Sequence, residues 1–92
     1  MKELILKKVK EQLSANNLIE GLHSVRGLKL LSVQGHPAKE KIVMTAWGTM
    51  MRLQAIFAYK SKMYENNRAK YDVNVYENGD ISVFFAGTYY ED

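Results

Sequence analysis

Apolar residues recur with helical spacing at the start of the chain. Ile5, Val9 and Leu13 fall within one sector of about 100° when successive residues are rotated by about 100°, and lysines lie mostly on the opposite side. This spacing predicts an amphipathic helix over residues 2–15. Two asparagines follow it and are expected to end it, because Asn tolerates the left-handed backbone found at helix ends.

Three shorter elements are expected next. Asn17 and Glu20 have the spacing of a capping box, which predicts a short second helix over residues 18–23. The apolar run over 28–33 follows a glycine and predicts a strand. Residues 34–37 are expected to form a turn, because they combine a glycine with a proline that disfavours helical backbone before it.

The middle of the chain admits two interpretations. Residues 41–47 are rich in β-branched side chains, whereas helix formers dominate after Met50. One interpretation is a single helix over 37–64; the other is a strand over 41–47, a break at Gly48 and a helix over 50–64. The single helix would be about 42 Å long, and it would overhang a domain whose radius of gyration is about 12 Å. The break is therefore favoured.

The predicted helix over 50–64 has a broad apolar face and a second face of small residues. Leu53, Phe57 and Tyr64 lie on the apolar side and are expected in the core, with Arg52 at its edge. A helix with two such faces can pack on two elements at once, which indicates a homodimer or a partner protein. The alternative is that long Arg and Lys side chains simply lie along the edge of the core.

Two alternating runs around an Asn–Gly pair at 78–79 predict a C-terminal β-hairpin. A two-residue loop would place Glu77 opposite Asp80, with like charges facing each other. A three-residue loop with a left-handed glycine pairs Tyr76 with Asp80 instead and is favoured, because a shift of one residue moves every side chain to the other face. Phe84 is then the one apolar residue on the polar face. The apolar face is expected to carry the pairs Val75 with Ile81, Val73 with Val83, and Tyr71 with Phe85.

These elements predict a single α+β domain over residues 1–92. Helices are expected to pack on one face of an antiparallel sheet of three or four strands that includes the C-terminal β-hairpin. Two arrangements of the C-terminal tail remain open. Thr88 and Tyr89 either continue the sheet or belong to an exposed binding strip.

Composition narrows the class of protein. The 92 residues are 47% apolar and 25% charged, as in an ordinary globular domain. The absence of cysteine excludes disulfides, thiolate nucleophiles and cysteine-ligated metals. No apolar stretch reaches the length of about 18 residues that a membrane span needs, and acidic residues interrupt the N-terminal apolar positions, unlike a signal peptide. A cytoplasmic protein is expected.

Charge is divided unevenly along the chain. Residues 39–70 carry seven bases and two acids, whereas residues 71–92 carry five acids and no base. The net charge of +3 and an isoelectric point near 9.2 would by themselves favour nucleic acid or a membrane. The two blocks can, however, neutralise each other within one fold or across a subunit interface. Membrane-surface attachment of the lysine-rich first helix is a minor alternative, because the core needs its apolar residues; no membrane partner is expected.

No catalytic or metal-binding constellation is recognisable. His23 and His36 lack the spacing of a metal motif such as HExxH, and the glycines do not form a phosphate-binding loop. The hairpin acids are expected on a solvated face rather than as an acid–base pair. Neither an enzyme nor a metal, cofactor or small-molecule substrate is therefore expected.

The leading hypothesis is a non-enzymatic protein-interaction module. Its acidic, tyrosine-rich hairpin and tail would meet a basic surface of a partner protein, since Tyr, Trp, Met and Arg are enriched at protein interfaces. The expected role is that of a small regulator or inhibitor or, by analogy, an accessory factor of a phage or another mobile element. The residues expected to bind the partner are Asp72, Tyr76, Asp80, Phe84, Tyr89 and Tyr90.

The alternative hypothesis is nucleic-acid binding through the basic, aromatic segment 59–71. Cationic groups neutralise phosphates while aromatic rings stack on bases, so this composition suits RNA or single-stranded nucleic acid. Cations near a helix C-terminus are also favoured by the helix dipole, which would explain them without a ligand. The residues concerned are Tyr59, Lys60, Lys62, Arg68 and Lys70.

Overall fold

The computed structural model describes residues 1–16, 19, 25–61 and 66–91. These residues form an α+β fold with one α-helix and one antiparallel sheet of five strands, rather than the three or four expected. The predicted second helix over 18–23 lies outside the described residues except at Ile19. The elements in chain order are α1 (Lys2–Ala15), a 3₁₀ turn (Val25–Gly27), β1 (Lys29–Gly35), β2 (Ile42–Thr45), β3 (Gly48–Tyr59), β4 (Asn67–Tyr76) and β5 (Ile81–Tyr90).

β3 is the strand that organises the sheet. It pairs with β4 along Met50–Tyr59, so its other edge is free to pair with two strands in succession. β2 occupies that edge along Gly48–Met51, and β1 occupies it along Leu53–Ala58. β5 pairs with the far side of β4. The order across the sheet is therefore β1 and β2 side by side, then β3, β4 and β5.

The core lies between α1 and one face of the sheet, here called the helix face. Ile5, Val9 and Leu13 are buried, as the spacing of the first helix predicts. Side chains alternate between the two faces of a strand, and the strand residues of the core cluster all belong to the helix face. They are Ala55, Phe57, Tyr59, Ala69, Tyr71, Val73, Ile81 and Val83. Phe57 and Phe85 pack edge-on against the ring of Tyr71, with centroids 5.6 Å apart in each pair.

The opposite face of the sheet, here called the open face, is not covered by any described helix or strand. Alternation and register assign to it a mixture of polar and apolar residues. From β3 and β4 these are Met50, Arg52, Gln54, Ile56, Ala58, Arg68, Lys70, Asp72, Asn74 and Tyr76, and from β5 Ser82 and Phe84.

The prediction of a helix over 50–64 is wrong, because residues 50–59 belong to β3. Residues 62–65 lie outside the described part of the chain. The strand expected over 41–47 is present as β2, and the break falls at Gly48, but β3 follows it. Intrinsic helix propensity differs from strand propensity by only a few tenths of a kcal/mol per residue, and strand pairing on both edges of β3 outweighs it. The apolar face assigned to that helix is divided by the strand, because Leu53 and Phe57 lie on the helix face of β3 and Ile56 lies on its open face.

The C-terminal strands join through a turn at Glu77–Gly79. Tyr76 N–H donates to Asp80 O at 2.9 Å, and Gly79 has a φ of +93°. The register places Val75 opposite Ile81, Val73 opposite Val83, and Tyr71 opposite Phe85. A bulge follows, after which β5 continues to Tyr90 and Glu91 N–H donates to Asn66 O at 3.0 Å. Thr88 and Tyr89 thus continue the sheet.

Candidate interaction site at the Trp47 end of the sheet

Two turns lie side by side at one end of the sheet, because β3 begins where β4 ends. Met50 is opposite Tyr76 in the register, which brings the β2–β3 turn next to the β4–β5 turn. Residues 42–51 and 76–80 are here called the Trp47 end. Of the ten large apolar side chains that the described structure leaves exposed, four lie at this end: Ile42, Met44, Trp47 and Met51.

The β2–β3 turn is short and internally hydrogen bonded. Thr45 and Gly48 close a two-residue turn, in which the Thr45 hydroxyl donates to Gly48 O at 2.7 Å and accepts from Trp47 N–H at 3.2 Å. The threonine side chain fixes the backbone on both sides of Trp47. The indole itself is left 92% exposed, at the tip of a well-defined turn.

Glu77 ties the two turns together. Its Oε2 accepts a hydrogen bond from Thr49 N–H at 2.8 Å, across from one turn to the other. A side chain at position 48 would collide with this carboxylate, and Gly48 has a φ of +112°, which other residues rarely adopt. Glycine is therefore required here both by backbone conformation and by the closeness of Glu77.

A cleft of about 590 Å³ opens between the two turns. Met50, which is almost completely buried, contributes apolar surface to it, and Trp47 and Tyr76 contribute aromatic surface. Two carboxylates border it, and none of the lysines and arginines that the structure describes does. The lining residues are Thr45, Trp47, Met50, Tyr76, Glu77, Asn78 and Asp80.

Apolar side chains also lie exposed on the helix face of the same end. Ile42 is opposite Met51 and Met44 is opposite Thr49, so alternation places all four side chains on one face. Met44 is 77% exposed and Ile42 is 62% exposed. Clustered large apolar side chains in water are unusual on a small soluble domain and commonly indicate a contact surface.

The six residues expected to bind a partner do not form one surface. Tyr76 and Asp80 line the cleft. Asp72 and Phe84 are opposite each other on the open face, and Tyr89 lies towards the other end of β5, with its ring centroid 5.9 Å from Lys70 Nζ. Alternation places Tyr90, the sixth, on the helix face beside Asn67.

Asp72 has a structural role in this fold. Its Oδ1 lies 3.0 Å from His36 Nε2, and its Oδ2 accepts from Lys39 Nζ at 2.9 Å. Because Ala38 N–H donates to His36 Nδ1 at 3.1 Å, Nε2 carries the proton and donates to Asp72. Nδ1 of this buried ring thus stabilises the local turn, and Nε2 holds the segment after β1 onto the sheet.

The pKa of Asp72 reflects this network. Burial alone would raise the pKa of the carboxyl group, but the hydrogen bonds from Lys39 and His36 and the positive charge of Lys39 outweigh it and lower the pKa. The carboxylate is therefore ionised over the whole neutral range. It acts as an acceptor for two side chains from a segment more than thirty positions away in the chain.

The residues of the basic, aromatic segment are dispersed. Tyr59 is 5% exposed and belongs to the core, so its ring has no face available for stacking. Lys60 is exposed just after β3, and Lys62 lies outside the described residues. Arg68 and Lys70 are on the open face, where Arg68 Nε is 3.2 Å from Glu91 Oε2. The cations of β3 and β4 share the open face, but the register places Arg52 four positions along the strands from Lys70.

Trp47, Met44 and Ile42 were not expected as functional residues. The sequence signal that could identify them is a lone tryptophan next to a glycine between two apolar runs, which is typical of a hairpin tip. Among the described residues no helix combines the length and hydropathy needed to cross a bilayer, and no group of three or more His, Asp or Glu side chains is arranged to hold a metal ion. No protein-family model matches the chain, and no curated protein or solved structure is detectably similar to it.

Proposed function

We propose that this protein is a non-enzymatic protein-binding module whose contact surface is the Trp47 end. The observation that carries this proposal is a single tryptophan, 92% exposed, held at the tip of a hydrogen-bonded turn. Trp, Tyr and Met are enriched among residues that dominate binding energy. A role as a small regulator or inhibitor fits a module that acts by covering part of its partner.

The size of the indole makes it a credible anchor. A tryptophan buries about 150–250 Å² in a contact, which at about 25 cal/mol per Å² corresponds to roughly 4–6 kcal/mol before the costs of association. A micromolar complex requires about 8 kcal/mol in total. Trp47 can thus supply a large part of the binding free energy, and Met44, Ile42 and the rest of the contact must supply the remainder. The short turn also limits the entropy lost when the indole is immobilised.

The test compares two exposed apolar side chains at different places. A photo-crosslinking residue at position 47 should capture a defined protein in nuclease-treated lysate of the source cells, and one at position 31 on β1 should not. Immobilised wild type and Leu31→Ala should retain the same amount of this protein, whereas Trp47→Ala should retain at least about tenfold less. Equal retention by Trp47→Ala and Leu31→Ala would refute the proposal.

A second candidate function, nucleic-acid binding, is favoured by the charge of the open face. The strands of this face carry Arg52, Arg68 and Lys70. Asp72 is the one acid that the register of the described strands places there, and it is already bonded to Lys39. Phe84 is 51% exposed on the same face. An exposed aromatic ring among cations is the arrangement that single-stranded nucleic acid requires.

This second function predicts a salt-dependent affinity. Log affinity for a fluorescent single-stranded oligonucleotide should fall linearly with log salt concentration, by about 0.7 per phosphate contact. Lys70→Ala should reduce that slope, and Phe84→Ala should weaken binding at every salt concentration. Lys7→Ala, on the solvent side of α1, is the matched control. Undetectable binding at low salt would remove nucleic acid as a ligand.

A further inference from the structure

We propose that the cleft at the Trp47 end binds a basic side chain, preferably an arginine, of the partner protein. This inference rests on the proposed function, since it names the chemistry of the partner at that surface. It comes from the charge, the aromatic lining and the free acceptor atoms of the cleft.

The cleft keeps two carboxylates without a neutralising cation. Among the described residues, the other C-terminal acids are already paired: Asp72 with Lys39, and Glu91 with Arg68. Glu77 and Asp80 are exposed at the cleft and have no ion pair in the described part of the chain. The negative charge of the C-terminal segment is thus concentrated at this end.

Each carboxylate is oriented and retains a free oxygen. Glu77 Oε2 accepts Thr49 N–H, which leaves Oε1 without a described partner. Asp80 Oδ2 accepts from Asn78 Nδ2 at 3.1 Å, and Asp80 N–H donates to Asn78 Oδ1 at 3.0 Å, which leaves Asp80 Oδ1 available. Acceptors fixed before binding lose little entropy when a charged donor arrives.

The remaining lining suits the rest of a basic side chain. Trp47 and Tyr76 offer aromatic faces, which attract guanidinium and ammonium groups. Met50 offers apolar surface for the aliphatic part of the side chain. Arginine is preferred to lysine because its planar guanidinium both stacks on rings and donates to two carboxylates. A volume of about 590 Å³ has room for one side chain and its flanking backbone.

The test uses small probes, because the partner is not needed to examine the cleft. N-acetylarginine amide is titrated against the protein, and its neutral isostere, N-acetylcitrulline amide, is the control ligand. Trp47 is the only tryptophan in the chain, so its fluorescence reports on the cleft directly. Saturable binding in the millimolar range is expected for the arginine probe, and binding at least about tenfold weaker for the citrulline probe.

Two variants and one control locate the binding. Glu77→Gln and Asp80→Asn keep the oxygens that hold the turns but remove the charges, so each should weaken arginine binding by about tenfold. Glu40→Gln, which changes an exposed acid outside the cleft, should leave it unchanged. Equal binding of arginine and citrulline probes, or equal weakening by Glu40→Gln, would overturn the inference. If one variant fails to fold, the other still decides.

The outcomes separate this inference from the proposed function. Capture of a partner that depends on Trp47, without selective arginine binding, would leave the protein-binding module intact and remove the basic side chain. Selective arginine binding without a Trp47-dependent partner would keep the cleft as a cation site and remove the module.

Discussion

Replacing Asp72 by alanine should destabilise the protein substantially, although the residue is close to the surface. The carboxylate accepts a hydrogen bond from His36, whose ring is only 8% exposed, and another from Lys39, which is half-exposed. A hydrogen bond to a charged group contributes about 1.5–3 kcal/mol, whereas an exposed ion pair contributes about 0–1 kcal/mol. The loss should therefore be about 2–3 kcal/mol and come mainly from the buried histidine.

Urea unfolding at neutral pH measures this loss, with the slope of free energy against urea expected to stay constant. Asp72→Asn retains an oxygen for His36 but loses the charge, so it should cost about 1 kcal/mol. Glu40→Ala, on the segment after β1, should change stability by less than about 0.5 kcal/mol. A loss below about 0.5 kcal/mol for Asp72→Ala would refute the reasoning, since the buried Nε2–H would then be satisfied elsewhere.

The stability difference between wild type and Asp72→Asn should depend on pH. In the folded protein the pKa of Asp72 lies below its ordinary value of 3.8, because the hydrogen bonds from Lys39 and His36 and the charge of Lys39 outweigh burial. A carboxyl group whose pKa is lower in the folded than in the unfolded state stabilises the folded protein. This stabilisation is complete at pH values above the unfolded-state pKa and is lost as the pH falls through the folded-state pKa. The difference between wild type and Asp72→Asn should therefore shrink as the pH falls below about 4. A difference unchanged to pH 2 would contradict a charge-dependent role.

Three further substitutions test separate parts of the structure. Gly48→Ala should destabilise by at least about 1–3 kcal/mol, because it combines a φ of +112° with a collision with Glu77; a neutral effect in urea unfolding would contradict this. Tyr71→Phe should leave stability unchanged or raise it by about 1 kcal/mol, because the buried hydroxyl has no hydrogen-bond partner among the described residues. Burial also raises the pKa of this hydroxyl to about 12. A clear loss of stability would indicate a hydrogen-bond partner. Trp47→Ala should change stability by less than about 0.5 kcal/mol, since the indole is almost fully in water; a larger loss in thermal unfolding would mean that it packs on the fold.

The first helix and the C-terminal strands are predictable because each presents one apolar face to the core. Ile5, Val9 and Leu13 repeat at helical spacing, and Tyr71 and Val73 alternate with polar residues. β3 has no such signal. Ile56 and Ala58 lie on its open face beside buried neighbours, so the strand is apolar on both faces and its period of two disappears.

The candidate site depends on contacts between distant residues, which a single sequence does not reveal. Tyr76 and Asp80 could be selected from composition, because aromatic and charged residues near a hairpin turn are common in interfaces. The exposure of Trp47 follows only once β2 and β3 are known to join through a two-residue turn. The bond between His36 and Asp72 joins residues 36 positions apart, and no local pattern indicates it.

The uneven charge of the sequence has a consistent explanation in this fold. Lys39 and Arg68 from the basic block pair with Asp72 and Glu91 from the acidic block, so part of each block is neutralised within the molecule. Among the described residues, Glu77 and Asp80 lie at the Trp47 end, whereas Arg52 and Lys70 lie on the open face. Such a separation steers a partner of complementary charge before contact. A basic partner should therefore approach the Trp47 end first, and neutralising Glu77 and Asp80 together should both slow association and speed dissociation.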